Sequence, residues 1–219
     1  MKSVSIFKRS LLLLAVSFFA FNSISVAQTI KDVFADSQTP ILYLGIDFTQ
    51  AKLIDDATAN THDIKERLYA AINDVVISEP KKYDLNGAFH KSNIDHDLGP
   101  VGKRNATINP DNILSTNTSD YHRLTEKDIS SAVSSYDFAD KKGVGLLFVM
   151  EAMSKSGKGA AMWVTLVDMK TKKVLMTERM EGKTGMSFGF RNFWVTPVKA
   201  VIDEIDKKKY KEWKSKYAS

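Results

Sequence analysis

The chain has 219 residues, with 31 basic and 26 acidic side chains for a formal charge of +5, four histidines and no cysteine. Hydrophobic residues make up 43% and charged residues 26%, which excludes a disordered or fibrous chain and leaves an ordinary globular one. Without cysteine there is no disulfide framework, no thiolate metal site, no cysteine nucleophile and no lipid-modified cysteine at a signal junction.

Lys2, Lys8 and Arg9 form a positive leader. An unbroken apolar run from Leu11 to Phe21 follows, and then the small-residue site Ser25-Val26-Ala27. These are the three parts of a secretory signal peptide, so residues 1–27 are expected to be removed after Ala27. The apolar run is too short for a stable membrane span, and no other stretch approaches 18 consecutive apolar residues. A cysteine-free exported chain suits the periplasm or exterior of a bacterium better than a disulfide-forming secretory route. Loss of the leader lowers the charge from +5 to +2, and the remaining excess lies in the tail 207–219, with six lysines against Glu212. That distribution gives no expectation of a nucleic-acid partner.

Residues 28–39 read as a polar leading arm ending at Pro40. Ile41 to Phe48 is rich in strand formers with apolar residues on both alternating faces, the pattern of a strand buried on both sides. Asp63 with Glu66 opens a helix whose stripe is Ile64, Leu68, Ile72 and Val75, stopped at Glu79-Pro80. From Lys81 to Leu124 the periodicity weakens, apart from a short helix over Tyr83 to His90. Long irregular connections tend to be functional, so a small ligand held between this segment and the sheet is one reading. Thr125 with Asp128 opens a second helix through Ile129, Val133 and Tyr136. Gly143 to Met150 is a central strand, Ala161 to Met169 returns after the turn Ser154 to Gly159, and Val174 to Met180 follows a second turn. In that last strand Val174, Met176 and Met180 are expected on one face, with Thr177, Arg179 and Glu181 on the other. Thr196-Pro197 starts the final helix, with the stripe Val198, Val201, Ile202 and Ile205. The order predicts an α+β fold. It is a single layered-sandwich domain over 28–219, in which a mixed sheet with a C-terminal three-strand antiparallel meander is covered by about three helices.

The segment Ala161 to Asp206 carries Val167-Asp168-Met169-Lys170-Thr171-Lys172-Lys173-Val174-Leu175 between two strands, then a glycine-bearing loop and a helix. It resembles the closing half of the α/β domains of the TolB amino-terminal domain, the curli-secretion lipoprotein and the penicillin-binding-protein activator lipoproteins. Leu44-Gly45-Ile46-Asp47-Phe48 looks like their first strand, and the whole chain is similar to exported proteins of Bacteroidetes-type bacteria. The resemblance implies a non-catalytic envelope module and carries over no catalytic residue or cofactor.

Three groups of residues are candidates for function. Phe188 to Trp194 holds four aromatics around one arginine, and Phe190, Arg191, Phe193 and Trp194 form the candidate partner surface, since aromatics and arginine are enriched where proteins bind. The competing expectation is that these rings plug one end of the core. On the tail, Tyr210 and Trp213 fall about a quarter turn from the core stripe beside Lys207, Lys208, Lys209 and Lys211, which suits a polyanion or membrane surface. Those lysines equally suit the negative end of a helix. His90, Asp95, His96 and Asp97 have ligand chemistry for a cation and would support a metal-assisted hydrolase, although histidines six positions apart do not have the helical zinc spacing of four. Gly182-Lys183-Thr184 is not a phosphate loop, because Thr177 stands where the first glycine is required. No serine lies in a nucleophile elbow. The leading expectation is a non-catalytic periplasmic or secreted binding and assembly module, without cofactor, whose partner is an envelope protein or a glycan.

Overall fold

The computed structural model describes residues 29–218. The export signal expected over 1–27 lies outside the described residues. Seven strands form one mixed sheet: β1 (Ile41–Asp47), β2 (Lys52–Ile54), β3 (Ile94–His96), β4 (Leu114–Ser115), β5 (Val144–Ser154), β6 (Gly159–Asp168) and β7 (Lys173–Lys183). Its axis is β5, buried along its whole length. β6 pairs antiparallel with all of one edge of β5, and β7 pairs antiparallel with β6. The other edge of β5 takes β1 beside Val144 to Val149 and β2 beside Ala152 to Ser154, both parallel, so β1 and β2 act as one broken strand. β3 and β4 extend these two pieces outward, again in parallel.

Alternation along the strands divides the apolar residues between two faces. Leu146, Phe148, Met150, Met162, Val164, Leu166, Met176 and Met180 point to one face. It is covered by α2, residues 61–78, and α6, residues 190–217. Leu147, Val149, Trp163 and Val167 point to the other, under α4 (Gly99–Asn105) and α5 (Glu126–Ser134). α1 (Ile30–Ala35) packs on the C-terminal part of α6, and α3 (Leu85–Ala88) closes the same end. β1 changes face at a bulge between Tyr43 and Gly45, where Gly45 has φ +104°, a backbone state open to glycine.

Several sequence expectations are corrected. The leading arm contains α1, closed by a reciprocal Thr29–Asp32 cap. The described residues hold six helices rather than about three. The segment 81–124 is not a structureless connection: it contains α3, β3, α4, β4 and two 3-10 turns. Each piece is two to seven residues long, too short for a periodic signal to register. The last helix begins at Phe190, six residues before Thr196, with Pro197 inside it. Val174 packs on the face opposite Met176 and Met180, because a register shift between Leu166 and Val167 sets an extra residue into β7.

Candidate functional site

The site is built at the end of the sheet where β7 leaves for α6. Gly182 is buried on β7, and a Cβ there would lie 2.1 Å from the carbonyl oxygen of Pro197, so only glycine lets α6 approach this closely. Pro197 has no N–H for the carbonyl of Phe193 one turn earlier; the hydroxyl of Thr196 donates to that oxygen instead, at 2.7 Å. The same hydroxyl accepts from the backbone N–H of Gly185 at 2.9 Å, which fastens the connecting loop to the helix. Gly189, at φ +79°, turns the chain into α6, whose first bond runs from Phe193 N–H to its carbonyl at 3.0 Å.

This places the aromatics around a cleft of about 430 Å³ between α6 and the start of α2. Phe188, Phe190, Phe193 and Trp194 form one wall, Ala59, Ile64 and Leu68 the other, and Asp56, Asn60, Asp63 and Lys155 stand at the rim. The volume is that of a small-molecule site or a pocket for a few partner side chains. Trp194 is only 2% exposed and forms the floor, with the ring of Phe193 edge-on to it at 4.9 Å and that of Phe190 at 6.2 Å. Phe190 and Phe193 are half-buried, whereas Met186 (106%) and Phe188 (94%) project fully into solvent. A second hollow adjoins along Arg67, Phe190, Arg191 and Asn192. Arg191 is exposed there and its Nε donates to Asn192 Oδ1 at 2.9 Å, while Arg67 is engaged by Asp63. Within the aromatic run Trp194 belongs to the core, and Phe190, Phe193 and Arg191 line accessible hollows. The facing wall at Ala59, Ile64 and Leu68 escaped sequence reading, since those residues look like an ordinary helix stripe.

The metal candidates do not converge. Asp95 and His96 are neighbours on β3, so the alternation of a strand sends them to opposite faces. Asp97 is bound by Lys141 Nζ at 2.6 Å and accepts from Gly99 N–H at 2.8 Å; the Lys141 contact first, then the backbone bond, hold its carboxyl below the usual range. His90 lies flat on Tyr210 at 4.0 Å, with Nε2 3.9 Å from Asp206. Among the described residues no three His, Asp or Glu side chains are placed to hold a metal ion.

The aromatic half of the expected tail surface is also unavailable. Tyr210 and Trp213 are 7% and 2% exposed, packed on Phe34 of α1 and, for Trp213, on Phe89. The indole N–H of Trp213 donates to Glu178, and Lys209 bridges Glu178 at 2.7 Å and Glu212 at 2.9 Å, which raises its pKa. The physical cause is a π turn at Ile205–Lys209. One additional residue per turn sets back all that follows by about 100°, which removes the quarter-turn offset read from uniform helical spacing. Lys207, Lys208 and Lys211 remain exposed.

Two buried carboxylates lie on the opposite face of the sheet. Asp47 is 0% exposed and accepts four bonds, from Thr49 N–H (2.7 Å), Thr49 hydroxyl (2.6 Å), Arg104 Nε (3.0 Å) and Tyr136 hydroxyl (2.5 Å). Burial, and then the charge of Asp47, push the Tyr136 hydroxyl well above its ordinary pKa. Glu151, also 0% exposed, accepts from Leu124 N–H (2.6 Å) and Arg179 Nε (2.7 Å). A carboxylate has about four acceptor directions, so Asp47 is saturated and has none left for a substrate. Both groups act as clamps: Asp47 ties β1 to α4 and the end of α5, and Glu151 ties the segment before α5 to the sheet.

Among the described residues no helix is long and apolar enough to cross a membrane. No protein-family model matches the chain, and no curated protein matches it. Among solved structures, the chain is similar to the crystal structure of lipoprotein GNA1162 from Neisseria meningitidis, at 14% identity over 78% of this chain and 98% of that one, with a TM-score of 0.31.

Proposed function

We propose that the protein is a non-catalytic binding module of the bacterial envelope, exported by its leader, whose contact surface is the aromatic cleft between α2 and α6. The observation that carries this reading is the cleft itself: about 430 Å³, walled by Phe188, Phe190, Phe193, Ile64 and Leu68 over a Trp194 floor. Aromatic walls over a rigid floor are the composition of binding hot spots. The ionisable groups at the rim of the cleft are engaged in ion pairs, Asp56 with Lys155 at 2.8 Å and Asp63 with Arg67. An envelope protein presenting apolar side chains, or a glycan stacking on the rings, is the partner class that fits. Export is supported by the leader, and the resemblance of Ala161 to Asp206 to envelope lipoprotein domains agrees with it.

Affinity capture from envelope extracts tests the reading, comparing wild type with the Phe190→Ser, Arg191→Ala double variant. Both side chains are accessible, so the fold should survive, unlike a change at Trp194. Loss of two such contacts is expected to weaken capture by about thirtyfold or more. Identical partner profiles from a folded variant would remove the cleft as the contact surface.

A further inference from the structure

The loop between β7 and α6 has a second property besides the wall that Phe188 gives the cleft. Met186 and Phe188 are the large apolar residues that stand fully exposed among those described, at 106% and 94%, and they lie two positions apart on one loop tip. A protein-binding pocket or ridge keeps most of its apolar groups packed, whereas these two side chains stand almost wholly in solvent, Phe188 doing so at the edge of the cleft. Such projecting groups suit a medium that needs no shape complementarity, and aromatic residues concentrate at the boundary between lipid headgroups and acyl chains.

The charges around the tip point the same way. No acidic residue occurs between Glu181 and Asp203. Lys183 ends β7 and Arg191 is the second residue of α6; both are exposed. Lys158, in the β5–β6 turn, is brought alongside by the bond from Thr184 N–H to its carbonyl at 3.0 Å. Carboxylates near this end are engaged locally: Glu181 by Arg179 at 2.5 Å, Asp56 by Lys155 at 2.8 Å, Asp63 by Arg67, and Asp55 by the hydroxyl of Ser156. Lys158, Lys183 and Arg191 therefore present positive charge from three separate segments around an apolar tip.

We infer that the loop tip Met186–Phe188 inserts into the interface of an anionic lipid bilayer while Lys158, Lys183 and Arg191 meet the lipid headgroups. This goes beyond the cleft reading and does not require it. Two apolar side chains and three cations make a reversible, salt-sensitive contact rather than a permanent anchor. Such a contact would hold the cleft close to a membrane surface, where an envelope partner is presented.

The test is sedimentation of purified protein with vesicles of phosphatidylcholine and phosphatidylglycerol, and with vesicles of phosphatidylcholine alone. Binding is expected at least tenfold tighter to the mixed vesicles, and weaker as salt is raised. A Met186→Ser, Phe188→Ser variant should lose at least tenfold of that affinity, and Lys158→Gln, Lys183→Gln, Arg191→Gln together should abolish the preference for anionic vesicles. All these positions are exposed, and an unchanged melting temperature confirms that the variants are folded. A Phe190→Ser, Leu68→Ser variant, which opens the cleft and leaves the tip, should bind vesicles as the wild type does; its failure to capture partners would then concern the cleft alone. In a Phe188→Trp variant the added fluorescence should shift to the blue on mixed vesicles. Absence of vesicle binding by wild type, undiminished binding by the tip variant, or an unshifted spectrum would each overturn the inference, as would a protein that captures the tip while vesicles do not.

Discussion

Gly182→Ala should separate α6 from the sheet. The ideal Cβ at this position falls 2.1 Å from the Pro197 oxygen and 2.7 Å from its carbonyl carbon and Cα, all backbone atoms of a helix that is also packed on α2. No flexible side chain can give way, so the helix must retreat by about an ångström, and overpacking of this kind costs about 3 kcal/mol, the upper end of the usual range. For a domain of this size that corresponds to a fall of about 6–12 °C in melting temperature. Gly102→Ala is the control: nothing lies within 4 Å of its Cβ in α4, and alanine there should raise stability by about 0.5–1 kcal/mol. Thermal unfolding followed by circular dichroism reads both. Because Trp194 lies one turn before Pro197, the displacement should also disturb the cleft floor and weaken whatever binds there. A Gly182→Ala protein melting within about 1 °C of wild type would refute the close-approach argument.

Arg104→Met should cost about 2–3 kcal/mol in chemical denaturation, because it leaves Asp47 buried without a cation, and Asp47→Asn in the same chain should recover part of the loss; a cost well under 1 kcal/mol would contradict the clamp. Thr196→Val removes both the substitute partner of the Phe193 carbonyl and the anchor of Gly185, so stability should fall by about 1–2 kcal/mol and limited proteolysis should cut faster within 184–189. Asp32, Asp97, Asp128 and Asp137 are held below their ordinary pKa of 3.8, chiefly by the Thr29 backbone, Lys141, the Thr125 hydroxyl and the Ala139 backbone respectively. Their folded-state values lie below the unfolded ones, so their stabilisation is complete above about pH 4 and is lost as pH falls through the folded values. Melting temperature should decline as pH falls below about 4, and a flat profile there would contradict this account.

Long elements were legible in the sequence and short ones were not. Apolar residues on both parities marked β1 and β5 as internal strands, the turn after β5 marked β6 as its return, and two reciprocal caps show how the helix starts are specified, although only Thr125–Asp128 was read from spacing. β2, β3 and β4 have two or three residues each and are placed by tertiary pairing, β2 with β5, β3 with β1 and β4 with β2, rather than by a local pattern. Departures from ideal periodicity misled where they occurred: the register shift in β7 misplaced Val174, and the π turn before Tyr210 gave the tail a false exposed face. The aromatic run was visible as composition, yet its division into a Trp194 floor and accessible Phe190 walls depends on α6 starting at Phe190. That start depends on Gly189 and on Thr196 substituting for the missing N–H of Pro197. The opposite wall of the cleft belongs to α2 and required the tertiary fold.

Photo-crosslinking tests the central claim most directly, with a benzophenone amino acid placed at position 190 inside the cleft and, separately, at the exposed position 127 on the opposite face of the sheet. Irradiation of intact cells should yield a discrete protein or glycan adduct from position 190 and none from position 127. No adduct at 190, or the same adducts from both positions, would contradict the assignment of the cleft as the contact surface.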